Sequence, residues 1–318
     1  MRFVAVALAL AATLANAQPY PAKPIRIVVP YTAGGPADLL VRGLGEKLNA
    51  SWGQQIIVEN KPGANEIIAA QDIARSAPDG YNYLLASDAV FSLNQFLYSK
   101  LAYDPVKDFA PVSRLVTANL MLVARPDFPA NSVRELIAYA KKNPGKINYG
   151  SVGAGGVNHL AFAWFNTLNG LEMQHVPYKG LVQGLQDIMT SRLDVMFAVI
   201  GGAAPHLKAG KIKGLAVSGQ ARNALIPDVP TFAESGLPNF DASFYFGLAA
   251  PAGTPRELVS KMAAEAGKIV RTAEFREKYL ANLGFEPVGD SPEDFARFLK
   301  EDRSLAEKKV KASGAKLD

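Results

Sequence analysis

A glycine-rich turn stands near the middle of the chain, between the apolar run "KINY" and the helical pattern "VNHLAFAWF". Its glycines include Gly153, Gly155 and Gly156, and Ser151 supplies a hydroxyl group. Glycine lets the backbone approach a ligand closely, and the first turn of a helix leaves backbone N–H groups without partners. The partial positive charge at a helix N-terminus favours an anion, to which Ser151 can also donate. The turn therefore predicts an anion-binding site, and a tight turn whose glycines serve packing alone is the open alternative.

A counterpart of this turn occurs earlier, in "VVPYTAGGPADLLVR" over residues 28–42. Pro36 suits the first position of a helix, so Asp38 falls in the first helical turn. A carboxylate there either stabilises the helix dipole and caps an N–H group, or holds an ordered water, an amine or a ligand hydroxyl. Because each turn joins a strand to a helix, we expect the two turns to face each other across one cleft.

Other chemistries have weaker support in the sequence. The dinucleotide-binding pattern GxGxxG is broken at Asn158, and no Gly-Lys-Ser/Thr motif is present. The histidines His159, His175 and His206 are too dispersed for a short metal-binding motif. Ser151 lacks the GxSxG elbow, although an exported hydrolase with Ser151 as nucleophile and His159 or His175 as base stays an alternative. We therefore predict no metal, no cofactor and no catalytic residue.

The elements that must position these turns alternate between strand and helix. "IRIVV" at 25–29 precedes a helical pattern over about 36–48, and a second strand-helix series starts after a capping box at 132–135. The 318 residues exceed what one hydrophobic core usually serves. We therefore expect an α/β protein of two lobes, with the helical tail from about residue 255 packed back on the first lobe.

The N-terminus is typical of a secretory signal peptide over residues 1–17. Arg2 precedes an apolar run over 3–15, and Ala-Asn-Ala follows at 15–17. The run is shorter than the roughly 20 residues that span a bilayer, so we predict export without stable membrane insertion. The absence of cysteine permits an oxidising compartment, and the net charge of +5 is spread along the chain, which gives nucleic-acid binding little support.

Six motifs then occur in a fixed order: "VPYTAGGPADLLVR", "VENKPGA", "APDGYNYLLAS", "INYGSVGAGGVNHLA", "HVPYKG" and "RLDVMF". Together they resemble the periplasmic solute-binding proteins of tripartite tricarboxylate transporters, the Bug receptor family, over essentially the whole mature chain. The resemblance implies a two-lobed, type II-like periplasmic binding protein with a hinge and a central cleft. It implies no catalysis. Lobe 1 would comprise residues 18–124 and 247–318 and lobe 2 residues 125–246.

The same resemblance implies which residues bind the ligand. The family holds a ligand carboxylate between the two glycine turns, largely with backbone groups, hydroxyls and ordered water. In the first lobe the implied residues are Tyr31, Thr32, Ala33, Gly34, Gly35, Asp38 and Ser87. In the second lobe they are Ser151, Gly153, Gly155, Gly156, His159, Tyr178, Asp194 and Phe197.

Several positions depart from the family's usual pattern. Residues 32–33 stand where proline is frequent, Asn65 and Glu66 where glycines are common, and Gly156 where a Ser or Thr is frequent. Residues 181–183 replace a segment that often carries proline. Because these changes surround the expected ligand, the sequence does not decide which carboxylate binds. A monocarboxylate, a dicarboxylate and an aromatic acid are all open alternatives. The expected partners are membrane permease subunits, with a periplasmic signalling partner for a ligand-sensing module as the alternative.

Overall fold

The computed structural model describes residues 20–178 and 180–317. The predicted signal peptide at 1–17 lies outside the described residues. None of the helices in the described part of the chain has the length and apolar character needed to cross a membrane.

Eleven strands in the described residues form two sheets. In chain order they are β1 (Ile25–Val29), β2 (Ile56–Asn60), β3 (Asn82–Ser87), β4 (Phe109–Ala118), β5 (Leu120–Ala124), β6 (Asn148–Ser151), β7 (Gln174–Pro177), β8 (Val195–Val199), β9 (Lys213–Val217), β10 (Phe244–Pro251) and β11 (Phe285–Pro287). The first sheet has the order β11-β4-β10-β3-β1-β2 and the second the order β7-β6-β8-β5-β9. Two sheets covered by helices confirm the predicted two-lobed α/β fold.

Ten α-helices cover the sheets in the same described residues. They are α1 (Pro36–Trp52), α2 (Ile67–Ala74), α3 (Asn94–Leu97), α4 (Val133–Lys142), α5 (Val157–Asn169), α6 (Leu181–Met189), α7 (Ile200–Lys208), α8 (Arg256–Val270), α9 (Ala273–Phe275) and α10 (Pro292–Ser313). Short 3₁₀ turns lie at Ala64–Glu66 and Ala281–Leu283, and π turns at Ala89–Leu93 and Arg276–Leu280. Half of the predicted capping box is present, because the Ser132 hydroxyl accepts a hydrogen bond from the Glu135 N–H at 3.2 Å. The Glu135 carboxylate accepts from the Asn131 N–H at 2.7 Å instead of from the Ser132 N–H.

The first sheet is buried on both faces. Strands β1, β2 and β3 are parallel, and successive β1 side chains enter different clusters: Ile27 packs with Leu40, whereas Val28 packs with Phe91. Strands covered on both sides need continuous apolar sequence, which "IRIVV" nearly supplies. The parallel arrangement places the carboxyl ends of all three strands at one edge of the sheet.

The second sheet repeats this arrangement. Strands β6, β7 and β8 are parallel, and β5 and β9 flank β8 on its other side. Along β5, Leu122 faces the cluster that contains Phe162, while Val123 faces the cluster that contains Ile188. The carboxyl ends of β6 and β8 therefore also share one edge.

The chain passes from one sheet to the other a few residues away from the predicted lobe boundaries. β5 was assigned to lobe 1 with the chain up to residue 124, but it pairs with β8 and β9 of the second sheet, so the crossing is at Asn119. β10 pairs with β4 from Phe244 and with β3 from Phe246, so the return crossing is at 241–243 rather than between residues 246 and 247. The apolar sequence of β5 fits a buried position in either sheet, and only the long-range pairing decides between them.

The last helix connects the two lobes. Near the start of α10, Phe295 and Leu299 are buried with the first sheet. Near its end, Ala306 and Val310 are buried against Leu160 on α5 of the second lobe. The predicted packing of the tail on the first lobe is therefore confirmed for the start of α10, while its end also contacts the second lobe.

Candidate ligand-binding cleft

A cavity of about 470 Å³ lies between the lobes, at the carboxyl ends of the parallel strands. β1 is followed by Tyr31 and Thr32, β3 ends at Ser87, and β8 ends at Val199, and all four residues line the cavity. In open α/β sheets, this edge is where ligands bind. The topology alone therefore predicts a ligand site here.

Both glycine turns reach this cavity. Gly35 is the N-terminal capping residue of α1 and Gly156 that of α5, and both line the cavity together with Gly155. Neither cap supplies a side-chain hydrogen bond, because glycine has no side chain to do so. The first N–H groups of two helices thus remain free of side-chain caps beside the same space, an arrangement that suits an anion.

Six of the predicted ligand residues line the cavity, and nine do not. Those that line it are Tyr31, Thr32, Gly35, Ser87, Gly155 and Gly156. Those outside its lining are Ala33, Gly34, Asp38, Ser151, Gly153, His159, Tyr178, Asp194 and Phe197. The two glycines in the second set have φ angles of +82° at Gly34 and +124° at Gly153, so they shape the turns through a conformation that favours glycine.

Asp38 supports the first turn from behind. It is 1% exposed, and its carboxylate accepts hydrogen bonds from Gly34 N at 2.8 Å, Arg42 Nε at 2.8 Å and Asn60 Nδ2 at 2.9 Å. Burial alone would raise the pKa of Asp38, but these hydrogen bonds outweigh it and hold the pKa below its usual value. The carboxylate therefore caps the Gly34 N–H, and the residue lies outside the cavity lining.

Ser151 and His159 support the second turn in a similar way. Ser151 is fully buried, and its hydroxyl contacts His175 Nε2 at 2.6 Å and donates to Gly153 O at 3.0 Å. His159 Nδ1 accepts the Gly155 N–H at 3.1 Å, and its ring stacks on that of His175 with centroids 4.0 Å apart. The predicted hydroxyl donor is thus turned into the protein instead of toward the cavity.

The remaining second-lobe predictions lie away from the cleft. Asp194 precedes β8, at the end opposite the cavity and roughly 15 Å from it for a strand of this length. Its carboxylate accepts from Arg125 Nε at 2.9 Å and from Asn148 N at 2.8 Å. Phe197 points into the core, 4.6 Å from the ring of Phe162 by centroids. The structure therefore places neither side chain at the cavity.

Tyr178 also turns away from the cavity. Its hydroxyl donates to Asp187 Oδ2 at 2.9 Å, and its ring packs in the cluster that contains Leu185. The residue follows β7, which is at the edge of the second sheet, so its ring covers the sheet instead of the cleft.

The cavity is also lined by residues that were not among the predicted ligand contacts. These are the acids Glu66 and Asp88, the amides Asn65 and Asn158, and the apolar residues Leu181, Phe244, Phe246 and Phe285, among others. A signal for part of this set was present, because 65–66 and 181–183 were already recognised as departures from the family pattern. No local signal marks the phenylalanines, which arrive from β10 and β11, more than 150 positions after the first turn.

Glu66 places a carboxyl group at the cavity wall. It is 6% exposed, its Oε1 accepts from the hydroxyls of Tyr31 and Ser87, and its Oε2 accepts from Ser87 N at 3.0 Å. Burial raises the pKa of Glu66, and the hydrogen bonds from Ser87 and Tyr31 oppose that shift only in part. Nearby, burial and the charge of Asp302 raise the pKa of Asp88 to about 8.

The described residues contain no group of three or more His, Asp or Glu side chains that could hold a metal ion. The chemistry that the cleft offers therefore consists of free helix N-termini, hydroxyls, buried acids and an apolar wall.

Comparisons with known proteins agree with this geometry. The sequence model of the family described as tripartite tricarboxylate transporter family receptor matches residues 40–314. A UPF0065 protein from Bordetella pertussis is 38% identical over 94% of this chain and 92% of its own length. A solved R. palustris protein with adipate is 32% identical, with a TM-score of 0.81, over 94% of this chain and 100% of its own. MatC from Rhodopseudomonas palustris, solved with bound malate, is 32% identical, with a TM-score of 0.75, over 92% of this chain and 100% of its own.

Proposed function

The chain belongs to the tripartite tricarboxylate transporter receptor family. From this premise we propose that the protein is exported and captures a small organic carboxylate between its lobes. It then delivers the carboxylate to the permease subunits of such a transporter. The observation that carries the proposal is the cavity lined by both glycine turns. Adipate and malate in two solved relatives support a carboxylate ligand.

The proposed binding chemistry does not require an arginine clamp. The first turns of α1 and α5 present N–H groups, and Thr32 adds a hydroxyl at the cavity wall. Each hydrogen bond to a charged group contributes about 1.5–3 kcal/mol, so a few such bonds are enough to hold a carboxylate. Since they come from both lobes, the ligand favours the closed form, which the permease would then recognise.

The contact between Ser151 and His175 favours the rival hydrolase. Ser151 is fully buried outside the cavity lining, and its hydroxyl already donates to Gly153 O. A substrate in the cavity would not meet this oxygen. We therefore propose a binding protein without catalysis, and turnover of small esters that Ser151→Ala abolishes would contradict this proposal.

The ligand class can be tested by calorimetry and thermal unfolding of the purified, dialysed protein. The probes are succinate, malate, aspartate, adipate and benzoate, with succinamide as the uncharged match for succinate. At 100 times its dissociation constant, a bound carboxylate should add about 2.7 kcal/mol to the free energy of unfolding. If succinamide stabilises the protein and none of the five acids does, the carboxylate proposal is wrong.

The location of the site is tested at Gly35. Its φ of −77° suits any residue, and an added Cβ would lie 3.5 Å from Thr32 O, which is an ordinary contact. Gly35→Ala should therefore bind as the wild type does. Gly35→Leu should bind at least about tenfold more weakly, because its side chain overfills the space at the start of α1. Equal affinity in both variants would place the ligand elsewhere.

A further inference from the structure

Glu66 is held in position by an unusual stretch of backbone. Ala64, Asn65 and Glu66 have φ angles of +46°, +49° and +73°, which residues other than glycine rarely adopt. The side chain of Asn94 holds the turn, because its Nδ2 donates to Asn65 O at 2.9 Å and its Oδ1 accepts from Asn65 Nδ2 at 2.6 Å. Strained backbone that the surroundings maintain at a cavity motivates a functional hypothesis for the side chain it presents.

The carboxyl group of Glu66 can accept a further hydrogen bond. Oε1 already accepts two, from the hydroxyls of Tyr31 and Ser87. Oε2 accepts one from the Ser87 backbone N–H, which can only donate, so Oε2 acts as an acceptor. A carboxylate oxygen has two acceptor positions, and the described residues fill one of those on Oε2. Because Glu66 lines the cavity, the second position is available to a ligand.

The charges around the cavity are complementary to a ligand of mixed sign. Among the described residues, the cavity lining contains no lysine, arginine or histidine. Its acids are Glu66 and Asp88, and Asp88, whose pKa is raised to about 8, carries little charge at pH 7. The N-termini of α1 and α5 favour one carboxylate. A second carboxylate beside Glu66 would be repelled, whereas a cationic N–H group there would complete the hydrogen bonding of Oε2.

We propose that Glu66 makes the cleft selective for a small carboxylate that also carries an ammonium group, that is, for a ligand of the amino-acid class. The inference rests on the proposed function, because it assumes that the carboxylate binds at the helix N-termini. Glu66 accepts the ammonium hydrogen bond, and the apolar wall of Phe244, Phe246 and Phe285 contacts the carbon chain of the ligand.

The test compares probes that differ in one substituent on the same carbon chain. Succinate, malate and aspartate carry hydrogen, hydroxyl and ammonium, and glutarate, 2-hydroxyglutarate and glutamate repeat the series one carbon longer. In titration calorimetry, the ammonium member of at least one series should bind about tenfold or more tightly than its hydroxyl member, and the unsubstituted member most weakly.

Glu66→Gln assigns the preference to this residue. The amide keeps an acceptor oxygen but removes the charge, so the ratio of affinities for the ammonium and hydroxyl members should fall to about one. Glu277→Gln, an exposed change outside the cavity lining, should leave the ratio as it is in the wild type.

Two outcomes separate this inference from the proposed function. If wild-type protein binds the unsubstituted dicarboxylates as tightly as their ammonium derivatives, the role of Glu66 is wrong and carboxylate binding stands. If Glu66→Gln keeps the full ammonium preference, the role of Glu66 is likewise overturned. If no carboxylate binds at all, both the proposed function and this inference fail.

Discussion

The hydrogen bond between His159 and the second glycine turn depends on the protonation state of the His159 ring. Its Nδ1 accepts the Gly155 N–H, so this nitrogen carries no proton in the native hydrogen-bond pattern. Burial, together with the neighbouring His175, lowers the pKa of His159 to about 4. Protonation of the ring would therefore cost both the hydrogen bond to the turn and the hydration of a buried cation.

The first prediction concerns the acid side of this titration. Because the native pKa is below the usual 6.5, the stabilisation from neutral His159 is complete above about pH 6.5 and is lost as the pH falls toward about 4. The free energy of unfolding should fall by about 2 kcal/mol between pH 7.5 and pH 5 on account of this residue. His159→Asn keeps an acceptor near the Nδ1 position and should lack this contribution. Urea unfolding of both proteins measures the difference, and equal pH dependence would refute it.

The second prediction concerns Asp38, whose carboxylate accepts three hydrogen bonds while almost fully buried. Asp38→Asn removes the charge beside Arg42 and points an amide N–H group at a donor, so the free energy of unfolding at pH 7 should fall by about 2 kcal/mol. Asp228→Asn, an exposed change, should stay within about 0.5 kcal/mol of the wild type. A similar small effect for both would mean that Asp38 does not hold the turn.

At the residue scale, sequence reasoning identified the turns better than the side chains. The glycines and the helix starts are local features, and both turns line the cavity as expected. Ser151 was expected to donate into the cleft because its residue type allows it, but χ1 and the partner His175 decide where its hydroxyl points. Glu66 could be recognised as a departure from a pattern, yet its position against Ser87 depends on the pairing of separate strands.

At the element scale, the first turns of helix α5 contribute both to the cavity and to the contact between the lobes. Its N-terminus borders the cavity, and Leu160 is buried between α5 and the end of α10. Since the start of α10 packs on the first sheet, this contact joins the lobes, and Leu93 of the same cluster also lines the cavity. The alternation of strands and helices could be predicted because local hydrophobic periodicity indicates it. The docking of α10 across both lobes could not be predicted, because it depends on contacts between residues about 150 positions apart.

The third prediction tests that contact with two substitutions on one helix. Leu160 is 1% exposed and Leu168 is 47% exposed. Leu160→Ala should lower the free energy of unfolding by about 2–5 kcal/mol, because it removes buried methyl groups and leaves a cavity. Leu168→Ala should cost less than about 0.5 kcal/mol. Denaturant unfolding with both variants gives the comparison, and equal midpoints would show that the α5 and α10 contact contributes little.

At the scale of the whole molecule, the chain passes between the sheets at Asn119 and again at 241–243. The end of α10 joins the lobes as well, through its contact with Leu160. A ligand that contacts both lobes can change the population of open and closed forms. The presence of two lobes followed from chain length and repeated patterns. The crossing points did not, because β5 is apolar enough to fit either sheet.

The fourth prediction follows from this connection. A carboxylate that stabilises the protein by about 2.7 kcal/mol at 100 times its dissociation constant should also reduce the radius of gyration in solution scattering, because it favours the closed form. Gly35→Leu should show neither effect at the same probe concentration, while Gly35→Ala should show both. A gain in stability without any change in the radius of gyration would mean that the ligand contacts a single lobe, since binding that is equal in the open and closed forms cannot shift their populations.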